Sequence, residues 1–469
     1  MTFTHGISFA LTLLLFTAVG AYSIRLVRTS SDYTVAGRQM SGLMVCTTLV
    51  ASFVGGTSII GTSQAAFFAG FSAIWFTVGA GLGSLLLGLG LAQPLREAMV
   101  ETIPQFLART YGEGAAIAAS LSIVAGMFFM VVIQVLAAVP LLMALYPMTA
   151  IWAVTLIMVL IFTYVVLGGF WGASLVGFLK ALLLYATVLG AAFYALSLAG
   201  GLKGLAAALP PGVEWFGLMP KGIGTHGAEI FSVVVGFSSS QSYLQVIFAG
   251  KDAKASRMGA FGAALLFPLI GLASTVLGMF IRVAHPEVNP AGAVPFFFLN
   301  YFSPWLGGVA LAGLLVSLVV TGASQLLGIA TTLVRDIYQS RFRPFAGDPE
   351  LLLASRIFAL LTAAAVYIFC LGALQSLILH WAYFGAAIRG VAAFLPLVFA
   401  VFFPRFVTRG TGYWAILLAP FVVLFWPLVP LQINPLYPGL LVSFLLLSIG
   451  VLTTYRSKSR AATPGQAGM

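Results

Sequence analysis

Thirteen apolar runs, most near the roughly 20 residues a helix needs to cross a bilayer, follow one another with only short breaks. They fall at 6–24, 42–69, 71–94, 114–145, 148–167, 175–199, 229–249, 258–281, 304–333, 355–375, 377–403, 411–429 and 437–454. Only helices and closed barrels span lipid, because every backbone polar group there needs an internal partner. Barrel strands would read as alternating segments of about ten residues. These runs do not alternate, so the fold class is all-α: a polytopic membrane protein of about 13 transmembrane helices. The 469 residues are 61% hydrophobic and 7% charged, where a soluble domain has about a quarter charged, which excludes a soluble catalytic domain. The 51 glycines suit helices that approach closely in lipid.

The net charge of +11 is explained by where the basic residues fall. With the N-terminus outside, eighteen of the 22 lie on inward-facing segments, including Arg25, Arg28, Arg38, Arg96, Lys180, Lys251, Arg335 and Arg456. Lys203, Lys221 and Arg282 fall on the other side and Arg389 inside a span. The positive-inside rule therefore puts the N-terminus outside and the C-terminus in the cytoplasm, as expected in a cell (inner) membrane. No basic face is interleaved with aromatics, so nucleic acid is excluded as a partner. The first run lacks a basic leader and a small-residue cleavage site and is read as a retained helix. Cys46 and Cys370 lie in different spans and form no metal or disulfide pattern.

Polar residues and glycines inside a span are costly unless they face a cavity or another helix. The second run carries Gly55-Gly56-Thr57-Ser58 near its middle, and the seventh carries Gly236-Phe237-Ser238-Ser239-Ser240-Gln241. The seventh is the fifth span after the second, so the two run in opposite directions. That is the arrangement of inverted five-helix repeats, each opening on a broken helix whose freed backbone groups bind solute and ion. Close packing of small residues is the alternative for either run alone. In the ninth run Ser317, Thr321 and Ser324 share one helix face. They could form a hard-oxygen cation site or bond back to their own helix.

Five ordered motifs then point to a family. Ser31-Asp32-Tyr33-Thr34-Val35-Ala36-Gly37-Arg38 resembles the D-Y-x-x-A-G-R signature of the sodium/solute symporter family. Thr102-Ile103-Pro104 through Tyr111-Gly112, Tyr164 with Gly168-Gly169, Gln241 through Gln245, and Asp336-Ile337-Tyr338 resemble its later elements. The resemblance implies a LeuT-like fold within a single transport domain, 1–469. Its parts would be a leading helix (6–24), a first five-helix repeat (42–199), a second, inverted repeat (229–403), two C-terminal helices (411–454) and a cytoplasmic tail (455–469). It also implies Na+ as coupling ion, held by the carbonyls of Ala51, Val54 and Ser317 and the hydroxyl of Thr321. The chain departs from the family at this place. The adjacent second hydroxyl falls on Val320, the T-D after the paired glycines reads Val176-Gly177, and the Gln three residues on is Lys180.

All eleven acids lie outside the span interiors, which disfavours a proton-exchanging carboxylate and favours a cation held by neutral oxygens. His380 is the remaining proton candidate, or an interfacial polar tip beside Trp381 and Tyr383. Arg389 is the one basic residue deep in a span, so its charge needs a partner. It either clamps carbonyls freed by a broken helix or pairs with an anionic solute through its planar fork. Phe53, Phe237, Tyr243 and Tyr383 are candidates for lining or gating, or for bundle packing.

These readings converge on a sodium-coupled carrier, working by alternating access, for a small organic solute expected to bear a carboxylate, such as a monocarboxylate or amino acid. The expected solute contacts are Gly55, Gly56, Thr57, Phe237, Ser238, Ser239, Gln241 and Arg389. The alternatives are a proton-coupled or facilitative carrier on the same scaffold, and a solute sensor without net transport. No nucleophile–base pair, metal cluster or phosphate-binding loop supports an enzyme or an organic cofactor.

Overall fold

A computed structural model describes residues 2–24, 36–431 and 433–461 of the chain. The first half of the opening motif, Ser31 to Val35, lies outside the described residues, as does the tail from 462 onward. The described residues are helical apart from turns and one isolated bridge, Met40 with Gly250. The elements that position the site are α1 (Phe3–Ile24), α2 (Gly42–Phe53), α3 (Thr62–Ala69), α4 (Trp75–Leu86), α5 (Glu113–Leu145), α6 (Ala150–Leu198), α7 (Gly222–Phe237), α8 (Gln241–Phe248), α9 (Ala253–Ala284), α10 (Pro304–Thr332), α11 (Asp348–Gly372), α12 (Ile378–Phe402), α13 (Arg409–Phe425) and α14 (Leu436–Ala461).

Among the described residues, nine helical segments are long and apolar enough to cross a membrane, or ten with the bent pair α7 and α8 as one span. Three shorter apolar helices, Gly42–Phe53, Ala150–Val166 and Arg409–Phe425, add to them. The expected count of thirteen is not reproduced by length, for physical reasons that can be located. The second run is interrupted at Val54 to Gly56, so each half is short. Its far half and the third run read as one helical stretch, Thr57–Glu97. A turn at Gly70, with φ of 63°, still divides that stretch where the sequence placed the boundary. The carbonyl of Trp215 lies where a Gly70 side chain would stand and accepts from the Phe71 N–H at 2.7 Å, so the turn admits glycine only. The fifth and sixth runs form one helical stretch of 49 residues, at 1.5 Å per residue roughly 73 Å, so no helix end divides the two runs.

The core lies where α10 packs between α5 and α6, with α1 on its outer side and α12 against α5. Almost every side chain of α10 from Gly307 to Thr332 is buried, which accounts for that run being apolar all round rather than amphipathic. Two charges are placed differently from the sequence reading. Lys180, counted there with the inner segments, is wholly buried within α6. Asp336, placed outside the spans, is buried in the π-helical continuation of α10, Leu333–Phe342. A pattern based on run ends assigns any charge near a run's end to water, and here both fold inward.

Candidate functional site at two helix breaks

The first break begins at Val54, whose backbone is extended (φ −73°, ψ 103°). In an unbroken helix the Gly55 N–H would bond the Ala51 carbonyl. Here it donates to Ser58 Oγ at 2.9 Å, and the Gly56 N–H donates to Gln134 Oε1 of α5 at 2.7 Å. The carbonyls at the end of α2 are thus released, at the negative end of that helix's dipole. Glycine is required twice: a Cβ on Gly55 would stand 2.8 Å from Thr321 Oγ1, and one on Gly56 2.6 Å from the Ala137 Cβ. The chain then rejoins a helix through a π-turn, Thr57–Gly61. The sequence reading missed Gln134; its only signal was a lone amide in an aliphatic run, Val131 to Val135.

All four residues expected to hold a cation meet at this break. Ser317 Oγ donates to the Val54 carbonyl at 2.8 Å, and Thr321 Oγ1 stands 3.5 Å from the Ala51 carbonyl and 3.4 Å from that of Val54. The position they surround is taken. Lys180 Nζ donates to Thr321 Oγ1 at 2.6 Å and to the Ser317 carbonyl at 3.3 Å. The oxygens are of the kind that holds a small monovalent cation, but a sodium ion does not fit beside an ammonium bound to two of them. Val320 contributes no oxygen and packs with Phe16, Val176 and Val316 in an apolar wall. Ser324 does not enter the cluster's hydrogen bonds.

The second break, Ser238 to Ser240, joins α7 to α8 at a bend of 45°. It faces the first break across a cluster of rings. Phe53 lies 4.5 Å from Phe267, 5.4 Å from Phe76 and 6.1 Å from Phe237, and Phe237 stacks on Tyr243 at 4.3 Å between centroids. Arg389, fully buried on α12, donates from Nε to the Gly236 carbonyl at 2.9 Å and from Nη1 to that of Gly126 at 3.3 Å. Its Nη2 faces Met130 Sδ at 3.5 Å, a weak acceptor. The guanidinium therefore links the end of α7 to α5, the clamp arrangement, while one edge meets only sulfur.

The remaining expected contacts divide. Gly55, Gly56, Phe237 and Arg389 converge on the breaks. Ser238 Oγ reaches the Gly83 carbonyl at 3.4 Å, and Ser239 Oγ bonds back to Val235 within its own helix. Thr57 offers its carbonyl to Thr62 Oγ1 at 3.2 Å. Gln241 is committed elsewhere: its Oε1 accepts from the Ile103 N–H at 3.1 Å and its Nε2 donates to the Glu101 carbonyl at 2.7 Å. Beside it Thr102 Oγ1 donates to Asp336 Oδ1 at 2.8 Å, and Arg335 pairs with Glu101 at 3.6 Å. Three of the five sequence motifs thus close one face of the bundle. On the opposite face a cavity of about 190 Å³, lined by Gln64, His226, Glu229, His380 and Tyr383, reaches toward the rings. Tyr383 is its innermost aromatic, edge-on to Phe76 at 5.9 Å. His226 there pairs with Glu229 at 2.8 Å.

The profile of the sodium:solute symporter family matches residues 33–418. The sodium/proline symporter of Escherichia coli (strain K12) is 23% identical over 437 residues, 87% of this chain and 84% of that protein. The high-affinity proline transporter PutP of Bacillus subtilis (strain 168) is 24% identical over 473 residues, 95% of this chain and 97% of its own. Among solved structures, a Na+-coupled sialic acid symporter in a substrate-bound outward-open state superposes with a TM-score of 0.80 at 15% identity, covering 97% of both chains. A nucleobase-cation-symport-1 family transporter, MHP1, superposes at 0.60 and 13% identity, covering 92% of this chain and 96% of that one. These likenesses establish the LeuT-like fold.

Proposed function

The chain belongs to the sodium:solute symporter family, and from that premise we propose that it is a carrier moving a small carboxylate-bearing solute across a cell membrane by alternating access. One observation carries the reading: two broken helices face each other, Phe53 against Phe237, with unwound backbone, hydroxyls and a buried guanidinium gathered at the breaks. Irregular backbone at membrane depth is stable only inside the protein or along a cavity, and in carriers it marks the solute site.

The solute proposed first is an amino acid, and among these proline, the substrate named in the relatives. Phe53, Phe237, Tyr243 and Phe267 suit a small apolar ring. Arg389 supplies the counter-charge: its Nη2 exchanges Met130 Sδ for a carboxylate oxygen, a far stronger acceptor, while Nε keeps the Gly236 carbonyl. Gly55, Gly56, Thr57, Ser238 and Ser239 line the path. The face closed by Gln241, Thr102 and Asp336 is the cytoplasmic one, since Arg96, Lys251 and Arg335 lie on it; the N-terminus is then outside and the membrane the inner one.

Family membership and the sodium-coupled neighbour support sodium as the coupling ion. A second reading of the coupling is favoured by one feature of this chain, the Lys180 ammonium among the oxygens expected to hold that ion. The proposed function is tested by uptake of labelled proline into vesicles containing the purified protein, with unlabelled amino acids, short carboxylates and sugars as competitors. Saturable uptake inhibited by proline or other carboxylate solutes is expected. Inhibition by sugars alone would reject the proposal.

A further inference from the structure

We propose that the Lys180 ammonium is a built-in cation that replaces sodium at the first helix break, so that this chain binds and moves its solute without sodium at that position. The inference rests on the reading of the chain as a carrier and concerns how its ion position is filled. The ammonium carries the same single positive charge as sodium and presents three donors from a compact head. It meets the hydroxyl of Thr321 and the carbonyl of Ser317, and those residues also touch the freed carbonyls of Ala51 and Val54. A cation at this point joins α10 to the end of α2, and here the joining charge is tethered to α6.

Lys180 is wholly buried, and among the described residues no Asp or Glu forms an ion pair with it. A charge at membrane depth without a carboxylate partner must be compensated by oriented oxygens. The two oxygens that compensate it, the Thr321 hydroxyl and the Ser317 carbonyl, belong to the set that would otherwise hold the metal. Two like charges sharing that set would repel at close range, so the ammonium and sodium exclude one another.

The surroundings are shaped for a side chain arriving from α6. Gly177 lets that helix lie against α2, because a Cβ there would stand 2.6 Å from the Ala51 Cβ. Val176 of α6, Val316 and Val320 of α10 and Phe16 of α1 form an apolar wall at this break, where a metal shell gains no ligand. Val176, Gly177, Lys180 and Val320 are each a departure from the family pattern, spread over 145 positions of sequence, and they converge on this one break.

The test uses purified full-length protein in sodium, potassium or choline chloride. The wild type is expected to show the same Tm in all three and to take up proline at the same initial rate with or without sodium. Lys180→Gln combined with Val320→Ser removes the ammonium and restores a hydroxyl. That variant is expected to gain a saturable Tm increase with sodium and not with potassium, and to lose roughly tenfold or more in proline affinity when sodium is withdrawn. Thr321→Ala, which removes the nearest acceptor of the ammonium, should lower Tm equally in sodium and potassium. A saturable sodium-specific rise in wild-type Tm overturns the proposal, and so does a folded double variant indifferent to sodium. If the double variant does not fold, the wild-type and Thr321→Ala comparisons decide. If no carboxylate solute is taken up in any salt, the carrier reading fails, while the Tm comparison still tests this one.

Discussion

Gln134 shows how one side chain can hold a broken helix together. Its Oε1 is the acceptor for the Gly56 N–H, a donor the break leaves without a helical partner. Gln134→Leu orphans that buried N–H at about 1–3 kcal/mol, so the purified variant should unfold at lower temperature; an unchanged Tm would remove Gln134 from this role. Gly56→Ala places a methyl 2.6 Å from the Ala137 Cβ and 2.7 Å from Leu318 Cδ2, an overpacking of about 1–3 kcal/mol. It should lower Tm well below that of Gly6→Ala, whose Cβ would meet nothing within 4 Å. Arg389→Gln removes both the clamp and the proposed counter-charge, whereas Arg389→Lys keeps the charge and loses the fork. If Arg389 pairs with the solute, the lysine variant retains part of the proline affinity that the glutamine variant loses. Equal loss of stability and of affinity in both would leave Arg389 a clamp alone. At this scale the sequence was informative where a residue was out of place, as with paired glycines or an arginine inside an apolar run. It was silent where a residue could have several partners: nothing local to Gln134 or Lys180 says which helix each faces.

The broken elements were the most legible part of the chain, because glycines and hydroxyls clustered inside an apolar run weaken the helix there and expose backbone groups that lipid cannot satisfy. Both breaks fall where the sequence put them, at Val54 to Gly56 and Ser238 to Ser240. Gln241 was less legible. Its place in the polar break of the seventh run suggested solute contact, yet both ends of its amide bond the segment 101–103, a pairing across 138 residues that no local pattern encodes. Those two bonds, at about 1 kcal/mol each, help keep one face shut. Gln241→Ala should therefore open it. In a background lacking Cys46 and Cys370, a cysteine placed at Ser240 should react with an impermeant maleimide from that face roughly tenfold faster than in the parent. Equal rates would mean that Gln241 is not part of the gate.

For the whole molecule, scarce charge and repeated apolar runs decided the class, and the order of the motifs decided the family. The run count did not carry over directly, since a break, a glycine turn and a helical stretch of 49 residues each alter how spans are divided. The bundle is tied together on the Gln241 face, beside a cavity of about 370 Å³ next to Asp336, and on the other face a cavity ends at Tyr383, which is edge-on to Phe76. A carrier must exchange that state for its opposite, whereas a sensor need only bind. Counterflow separates the two whatever ion is involved. Vesicles containing the purified chain are preloaded with unlabelled proline and diluted into a trace of labelled proline. The account predicts a transient accumulation of label that protein-free vesicles lack. Saturable binding of proline by the purified protein with no accumulation of label in the vesicles would contradict it.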